Sequence, residues 1–98
     1  MSAPQKYRQR YIAFKVDQNI SKGKLIKIIS QMGYEEDFSP NPWLVLYDVE
    51  ESKGLIKCGH EQVERLKVEL KKLDGPSFEI SGVSGTIKTA RQKFLSDH

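Results

Sequence analysis

Residues 43–58, WLVLYDVEESKGLIKC, decide the fold of this chain. Two runs that favour strands, residues 43–50 and 55–58, stand on either side of residues 51–54 (ESKG), a short polar connection that contains glycine. This pattern is typical of an antiparallel β-hairpin. The second and third strands of the chain are therefore predicted to pair with each other.

The residues before the hairpin predict a strand followed by a helix. Residues 11–16 alternate as a strand whose apolar side chains share one face: Ile12, Phe14 and Val16. Ser21 is a natural N-cap, and apolar residues recur after it at helical spacing until Gly33, which suits a C-terminal stop. Residues 34–42 then form a loop that leads into the hairpin.

The residues after the hairpin predict the same order again. Apolar residues at helical spacing from residue 63 indicate a second helix, which residues 74–76 (DGP) close. Residues 77–83 alternate as a fourth strand, and residues 84–98 predict a basic C-terminal helix.

This order of elements, β-α-β-β-α-β-α, predicts a fold of the α+β class. Its first six elements match the ferredoxin-like split βαβ arrangement, a four-stranded antiparallel sheet with two helices on one face. The chain of 98 residues has room for one hydrophobic core, so we predict a single domain over residues 1–98 in which residues 1–9 form a basic arm.

The second strand predicts that the other face of the sheet is apolar too. Leu44 and Leu46 alternate with apolar residues that point to the opposite face. Either the terminal helix or a protein partner would cover that face, because an exposed apolar patch of this size usually marks an interface. The predicted protein-interface residues are Trp43, Val45, Tyr47 and Phe94.

Charge is distributed unevenly along the sequence. Residues 1–27 carry a net charge of +6, residues 28–75 one of −4 and residues 76–98 one of +1. An acid-poor basic start together with a basic final segment is typical of a surface that holds a polyanion, although it could also be a solvated arm. The single cysteine and the lack of a long apolar run favour a cytoplasmic protein without a membrane partner.

Few residues could serve catalysis or bind a metal. The chain has only two histidines, and His60 at the start of the second helix is better explained as a capping or exposed residue than as a general base. The acidic clusters at residues 35–37 and 50–51 do not match a calcium loop. We therefore predict no catalytic residue, no metal site and no cofactor in this chain.

The fold suggests comparison with the RNA-recognition motif, but the third strand lacks its stacking rings. Leu55 and Lys57 occupy the two positions where aromatic residues belong, so base reading by that strand is disfavoured. The turn at residues 82–88 (GVSGTIK) remains, and it leads from a strand into a helix. RNA phosphates could bind its backbone amides and hydroxyls, although an ordinary helix cap explains the same residues. The predicted RNA-binding residues are Lys6, Arg8, Arg10, Lys15, Ser84, Gly85, Thr86, Lys88, Arg91 and Lys93.

Four motifs in order resemble the archaeal ribonuclease P protein component 2 family. They are residues 10–16 (RYIAFKV), 42–45 (PWLV), 54–58 (GLIKC) and 82–88 (GVSGTIK). The resemblance implies an accessory subunit of the ribonucleoprotein that removes 5′ leaders from precursor tRNA, with catalysis and its Mg²⁺ belonging to the RNA. It also implies partners: the ribonuclease P RNA, the barrel-fold protein component 3 and a second copy of the chain, with precursor tRNA reached through the holoenzyme. Its RNA contacts would fall on Arg8, Arg10, Ser84, Gly85, Lys88 and Arg91.

Two other function classes stay open at this point. A ferredoxin-like enzyme of the acylphosphatase kind would need an arginine in the loop after the first strand, but residues 17–23 contain none. A ribosomal or scaffolding RNA-binding module would have the same fold and the same charge distribution.

Overall fold

The structure, a computed structural model, describes residues 8–38, 41–73 and 75–95. Its strands and main helices are β1 (Gln9–Val16), α1 (Lys22–Glu35), β2 (Trp43–Asp48), β3 (Lys53–Gly59), α2 (Val63–Lys72), β4 (Phe78–Ser84) and α3 (Ile87–Ala90). A 3₁₀ turn at His60–Gln62 precedes α2, and a π-helical turn at Arg91–Leu95 extends α3. The predicted order of elements is confirmed. No helix in these ranges combines the length and apolar character that a membrane span needs.

The four strands form one antiparallel sheet in the order β2-β3-β1-β4. This is the ferredoxin-like order that the sequence predicts, with β1 and β3 in the centre. The predicted hairpin between β2 and β3 forms around Asp48, whose Oδ1 accepts hydrogen bonds from the backbone N–H groups of Glu50 and Glu51. Ser52 completes the turn with a φ of 57°.

The main core lies between α1, α2 and one face of the sheet. The strand residues Ile12, Phe14 and Val16 point into it together, as their alternation predicts. Ser21 caps α1 by accepting a hydrogen bond at its Oγ from the N–H of Lys24, at 3.2 Å. The helix residues in this core are Leu25, Ile29, Met32, Val63, Leu66 and Leu70.

A bulge in β2 changes which face its side chains take. Leu44 pairs with Ile56 and Leu46 pairs with Leu55, so Val45 is the extra residue between two registers. As a result Tyr47 turns toward α1 and α2, where its ring stacks on Phe14 with centroids 6.2 Å apart. The expectation that Trp43, Val45 and Tyr47 share one face of the sheet is therefore wrong, because strict alternation does not continue through a bulge.

The terminal helix covers the middle of the second face. Ala90 packs on Ala13 and Leu55, and none of the three has exposed surface. Phe94 lies directly over Gly82, where a Cβ atom would overlap its ring. Of the two predicted covers for this face, the terminal helix is the one that the structure contains.

The observed strands begin or end one or two residues away from their predicted limits, and two helix boundaries differ for reasons that the structure shows. Helix α1 does not stop at Gly33 but continues to Glu35, and the missing side chain of Gly33 makes room for Pro42 and Asn41 of the next loop. The C-terminal helix begins at Ile87 and not at residue 84, because Ser84 still pairs with Tyr11 as the last residue of β4. Residues 1–7 of the predicted basic arm and residues 96–98 lie outside the described residues.

Cys58 is buried in the main core, and burial raises the pKa of its thiol from 9.0 to about 11. We predict that Ellman's reagent labels this thiol slowly in the native protein at neutral pH and quickly after unfolding in urea, because the thiolate is the reactive form. As pH rises, the thiol of the unfolded chain ionises before the buried thiol of the folded chain. The contribution of Cys58 to stability is therefore complete below pH 9.0 and is lost as the pH rises toward about 11. Fast labelling of the folded protein would contradict this placement.

Candidate nucleic-acid interface

The start of β1 and the end of β4 bring the two predicted basic regions together. Tyr11 pairs with Ser84, so the start of β1 and the end of β4 lie side by side at one end of the sheet. This end of the sheet is called the basic edge. Nη1 of Arg10 stands 3.7 Å from the point where a Cβ of Gly85 would be. The carbonyl of Arg8 accepts a hydrogen bond from the N–H of His60 at 2.9 Å, which fixes the backbone entering β1.

The turn between β4 and α3 uses its own hydroxyl groups as acceptors. Ser84 Oγ accepts from the N–H of Thr86 at 3.3 Å, and Thr86 Oγ1 accepts from the N–H of Thr89 at 3.1 Å. The N–H of Ala90 donates to the carbonyl of Thr86. The turn is therefore a helix cap, as the alternative interpretation of the sequence states, and the amide of Thr86 is not available to a phosphate. Each hydroxyl still has a proton that it can donate.

The cations at this edge have no acidic partners among the described residues. Arg10 is half-buried and donates from Nη1 to the carbonyl of Gln9 at 2.9 Å, while Arg8 and Lys88 are exposed. Described ion pairs lie on α2, where Lys67 pairs with Glu64 and Lys72 with Glu69. A cluster of unpaired cations attracts a polyanion more strongly than a surface of mixed sign.

The structure places other predicted RNA-binding residues elsewhere. Lys15 lies five residues further along β1, roughly 17 Å from Arg10 at the usual strand rise, and it pairs in register with Glu79. Arg91 lines a cavity of about 610 Å³ together with the acidic Asp48 and Glu51. Lys93 is exposed in the π-helical turn, and Lys6 lies outside the described residues.

The four predicted protein-interface residues do not form one surface. Tyr47 packs in the main core, while Val45 and Phe94 pack against the cluster under α3. Trp43 alone among them is largely exposed, at 65%. Its contribution to any interface is thus separate from that of the other three.

Sequence reasoning missed a cavity of about 230 Å³ beside Trp43. Its lining residues are Gln9, Asn41, Trp43, Lys57 and Cys58. They come from β1, the loop after α1, β2 and β3, so only the register of the sheet brings them together. The one signal in the sequence was the aromatic residue at the start of β2.

No group of three or more His, Cys, Asp or Glu side chains in the described ranges could hold a metal ion. The expected Mg²⁺ belongs to the RNA, and that assignment stays a prediction.

Three archaeal proteins that are similar to this chain are named ribonuclease P protein component 2. Ribonuclease P protein component 2 of Thermococcus kodakarensis is 31% identical over 103 residues, which cover 93% of this chain and 86% of that protein. The protein of the same name from Pyrococcus abyssi is 32% identical, with 93% of this chain and 87% of that protein covered. The one from Methanococcus aeolicus is 35% identical, with 90% and 73% covered.

The chain belongs to the ribonuclease P protein component 2 family. No protein-family model matches the chain. The family that the four sequence motifs indicate is confirmed. Of the RNA contacts that the component 2 family implies, the structure brings Arg8, Arg10, Ser84 and Gly85 to one edge, with Lys88 in the adjoining turn of α3. Arg91 lies one turn further on, beside the acidic hairpin.

Proposed function

We propose that this chain is a protein subunit of ribonuclease P and acts in the removal of 5′ leaders from precursor tRNA. The observation that carries the proposal is its identity of 31–35% to proteins named ribonuclease P protein component 2, over about 90% of the chain. In this role the chain supplies no catalytic group. It stabilises the fold of the catalytic RNA, which holds the Mg²⁺.

RNA binding is proposed for the edge where β1 and β4 meet. Arg8, Arg10 and Lys88 would neutralise phosphates there, and Ser84 and Thr86 would donate their hydroxyl protons. The cap within the turn holds these groups in place before RNA arrives, which lowers the entropy lost on binding. Contacts of this kind position the protein without reading sequence.

The proposed assembly includes further partners. Ribonuclease P RNA binds the basic edge, and precursor tRNA is reached through the holoenzyme. Protein component 3 and a second copy of the chain are the proposed protein partners, and the cytoplasm is the proposed location.

Purification of the tagged chain from its own cells tests this function. We expect ribonuclease P RNA and other ribonuclease P proteins to copurify, and the eluate to cleave the 5′ leader from a precursor tRNA in the presence of Mg²⁺. An untagged strain processed in parallel controls for adventitious RNA. Copurification of ribosomal RNA and ribosomal proteins alone, without leader cleavage, would show that the chain is a ribosomal or scaffolding module instead.

A further inference from the structure

We propose that the cavity beside Trp43 binds an unpaired nucleotide of the RNA, with its base stacked on the indole ring. The inference rests on the proposed function and adds a second contact to it. It assigns a ligand class, a single-stranded stretch of RNA, to a site outside the turn at residues 82–88.

The lining of the cavity has the chemistry that a nucleotide requires. Trp43 is 65% exposed, so its ring is available for stacking, which is how unpaired bases are usually held. Gln9 and Asn41 bring side-chain amides, each of which can both donate to and accept from the edge of a base. Within the described residues neither amide group has a hydrogen-bond partner. The ammonium of Lys57 supplies the charge for a phosphate.

Charge distinguishes this cavity from the larger one on the same side of the sheet. The cavity beside Trp43 has one lysine and no acidic residue in its lining. The cavity of about 610 Å³ near Arg91 is lined by the acidic Asp48 and Glu51 together with Lys53 and Arg91, so its charges balance and it has no net attraction for phosphate. RNA is therefore expected to favour the smaller cavity, whose lining carries only positive charge.

The register of the sheet connects this cavity to the proposed phosphate-binding edge. Trp43 pairs with Lys57, Lys57 with Tyr11, and Tyr11 with Ser84. These four residues form a straight row across the sheet, on the face that α3 covers further along. The row spans three inter-strand spacings, roughly 14 Å in all, and ends at the turn beside Arg10.

The terminal helix leaves this end of the face accessible. It buries Ala13 and Leu55 completely, whereas Lys57 is only half-buried and Trp43 largely exposed. A strand of RNA could thus lie along the row with its phosphates near Lys57 and Arg10. The site differs from an RNA-recognition motif because its exposed ring comes from β2, while β3 contributes a lysine.

A protein segment would fit a second cavity that Trp43 also borders. That cavity has a volume of about 130 Å³, and its other lining residues are mostly apolar: Ile26, Ile29, Ser30, Pro42 and Leu44. The two amides and the lysine line only the cavity assigned to RNA. The two cavities at Trp43 therefore differ in chemistry, and the polar one favours a nucleotide.

Fluorescence gives a direct test, because Trp43 is the only tryptophan of the chain. We expect a ten-nucleotide oligouridylate to quench its emission in a saturable titration, and a ten-base-pair RNA duplex to quench it far less. Free uridine monophosphate is titrated in parallel. Quenching by the mononucleotide at the same concentration as by the oligonucleotide would show a site for free nucleotides and would overturn the assignment to RNA.

Substitution of Trp43 supplies the matching affinity measurement. Trp43→Ala should weaken binding of the fluorescein-labelled oligouridylate by about fivefold or more, the usual effect of losing one stacked base. Tyr34→Ala removes an aromatic ring that is 83% exposed on α1 and should leave the affinity unchanged. Circular dichroism checks that both variants remain folded, as expected for exposed positions.

The outcomes separate this inference from the proposed function. If Trp43→Ala binds oligouridylate normally, the nucleotide site is wrong, and copurification of ribonuclease P RNA still decides the function. If Trp43→Ala still copurifies with ribonuclease P RNA but no longer with one of the proteins, the indole belongs to a protein interface and the inference is also wrong. Loss of oligouridylate binding by Trp43→Ala together with retained protein partners supports it.

Discussion

A variant that carries Arg8→Gln and Arg10→Gln should bind ribonuclease P RNA with a clearly shallower salt dependence than the unaltered chain. Both arginines lie at the start of β1, next to the turn at Gly85, and neither forms an ion pair with a described residue. Each phosphate contact contributes about 0.7 to 0.9 to the slope of log K against log salt concentration. Losing two contacts should lower that slope by roughly 1.4 to 1.8, as measured by filter binding over a salt series.

The matched control removes the same amount of charge from a different surface. Lys71 and Lys72 are exposed at the end of α2, so Lys71→Gln with Lys72→Gln changes the net charge equally. We expect the control to bind RNA more weakly at low salt, through the long-range field alone, with its slope nearly unchanged. Equal changes of slope in the two variants would mean that net charge governs binding and that the edge of β1 is not a specific site.

Together the edge and the cavity beside Trp43 would divide RNA binding into two tasks. The cations near Gly85 would contact phosphates of a folded RNA, and the indole would hold a base that has left its helix. The first task depends strongly on salt and the second mainly on stacking. Comparison of the Arg8 and Arg10 variant with Trp43→Ala across the same salt series can therefore separate them.

The sequence was sufficient to predict the fold because its local signals agree with one another. Alternation puts Ile12, Phe14 and Val16 on one face, and Ser21 caps the first helix through its hydroxyl. The glycine-containing connection between β2 and β3 predicts a hairpin. In the sheet, β3 pairs with β2 on one side and with β1 on the other. Consistency of this kind across short segments is what specifies a single fold.

Other features depend on contacts between distant residues, which periodicity does not contain. The bulge at Val45 moves Tyr47 into the main core, so the predicted protein interface breaks into separate parts. Gly33 looks like a helix stop, but it is a contact point for Pro42. The cavity beside Trp43 needs the register of three strands, so no local pattern could reveal it.

Phe14→Ala should destabilise the domain strongly, lowering its free energy of unfolding by about 3 to 5 kcal/mol. Phe14 has no exposed surface, and its ring packs on Tyr47 and Phe78 with centroids 6.2 and 5.4 Å apart. It also fills the space above Gly54, where a Cβ would stand 2.9 Å from its ring. Urea unfolding followed by far-ultraviolet circular dichroism measures the loss.

This loss is a large part of the roughly 5 to 15 kcal/mol that holds a domain of this size together. Tyr34→Ala removes an exposed ring and should change stability by less than about 0.5 kcal/mol, so it serves as the control. Because β1 carries both Phe14 and the arginines at its start, RNA that binds there should restore part of the lost stability by mass action. A loss below about 1 kcal/mol in Phe14→Ala would mean that β1 is not packed between the aromatic rings as described.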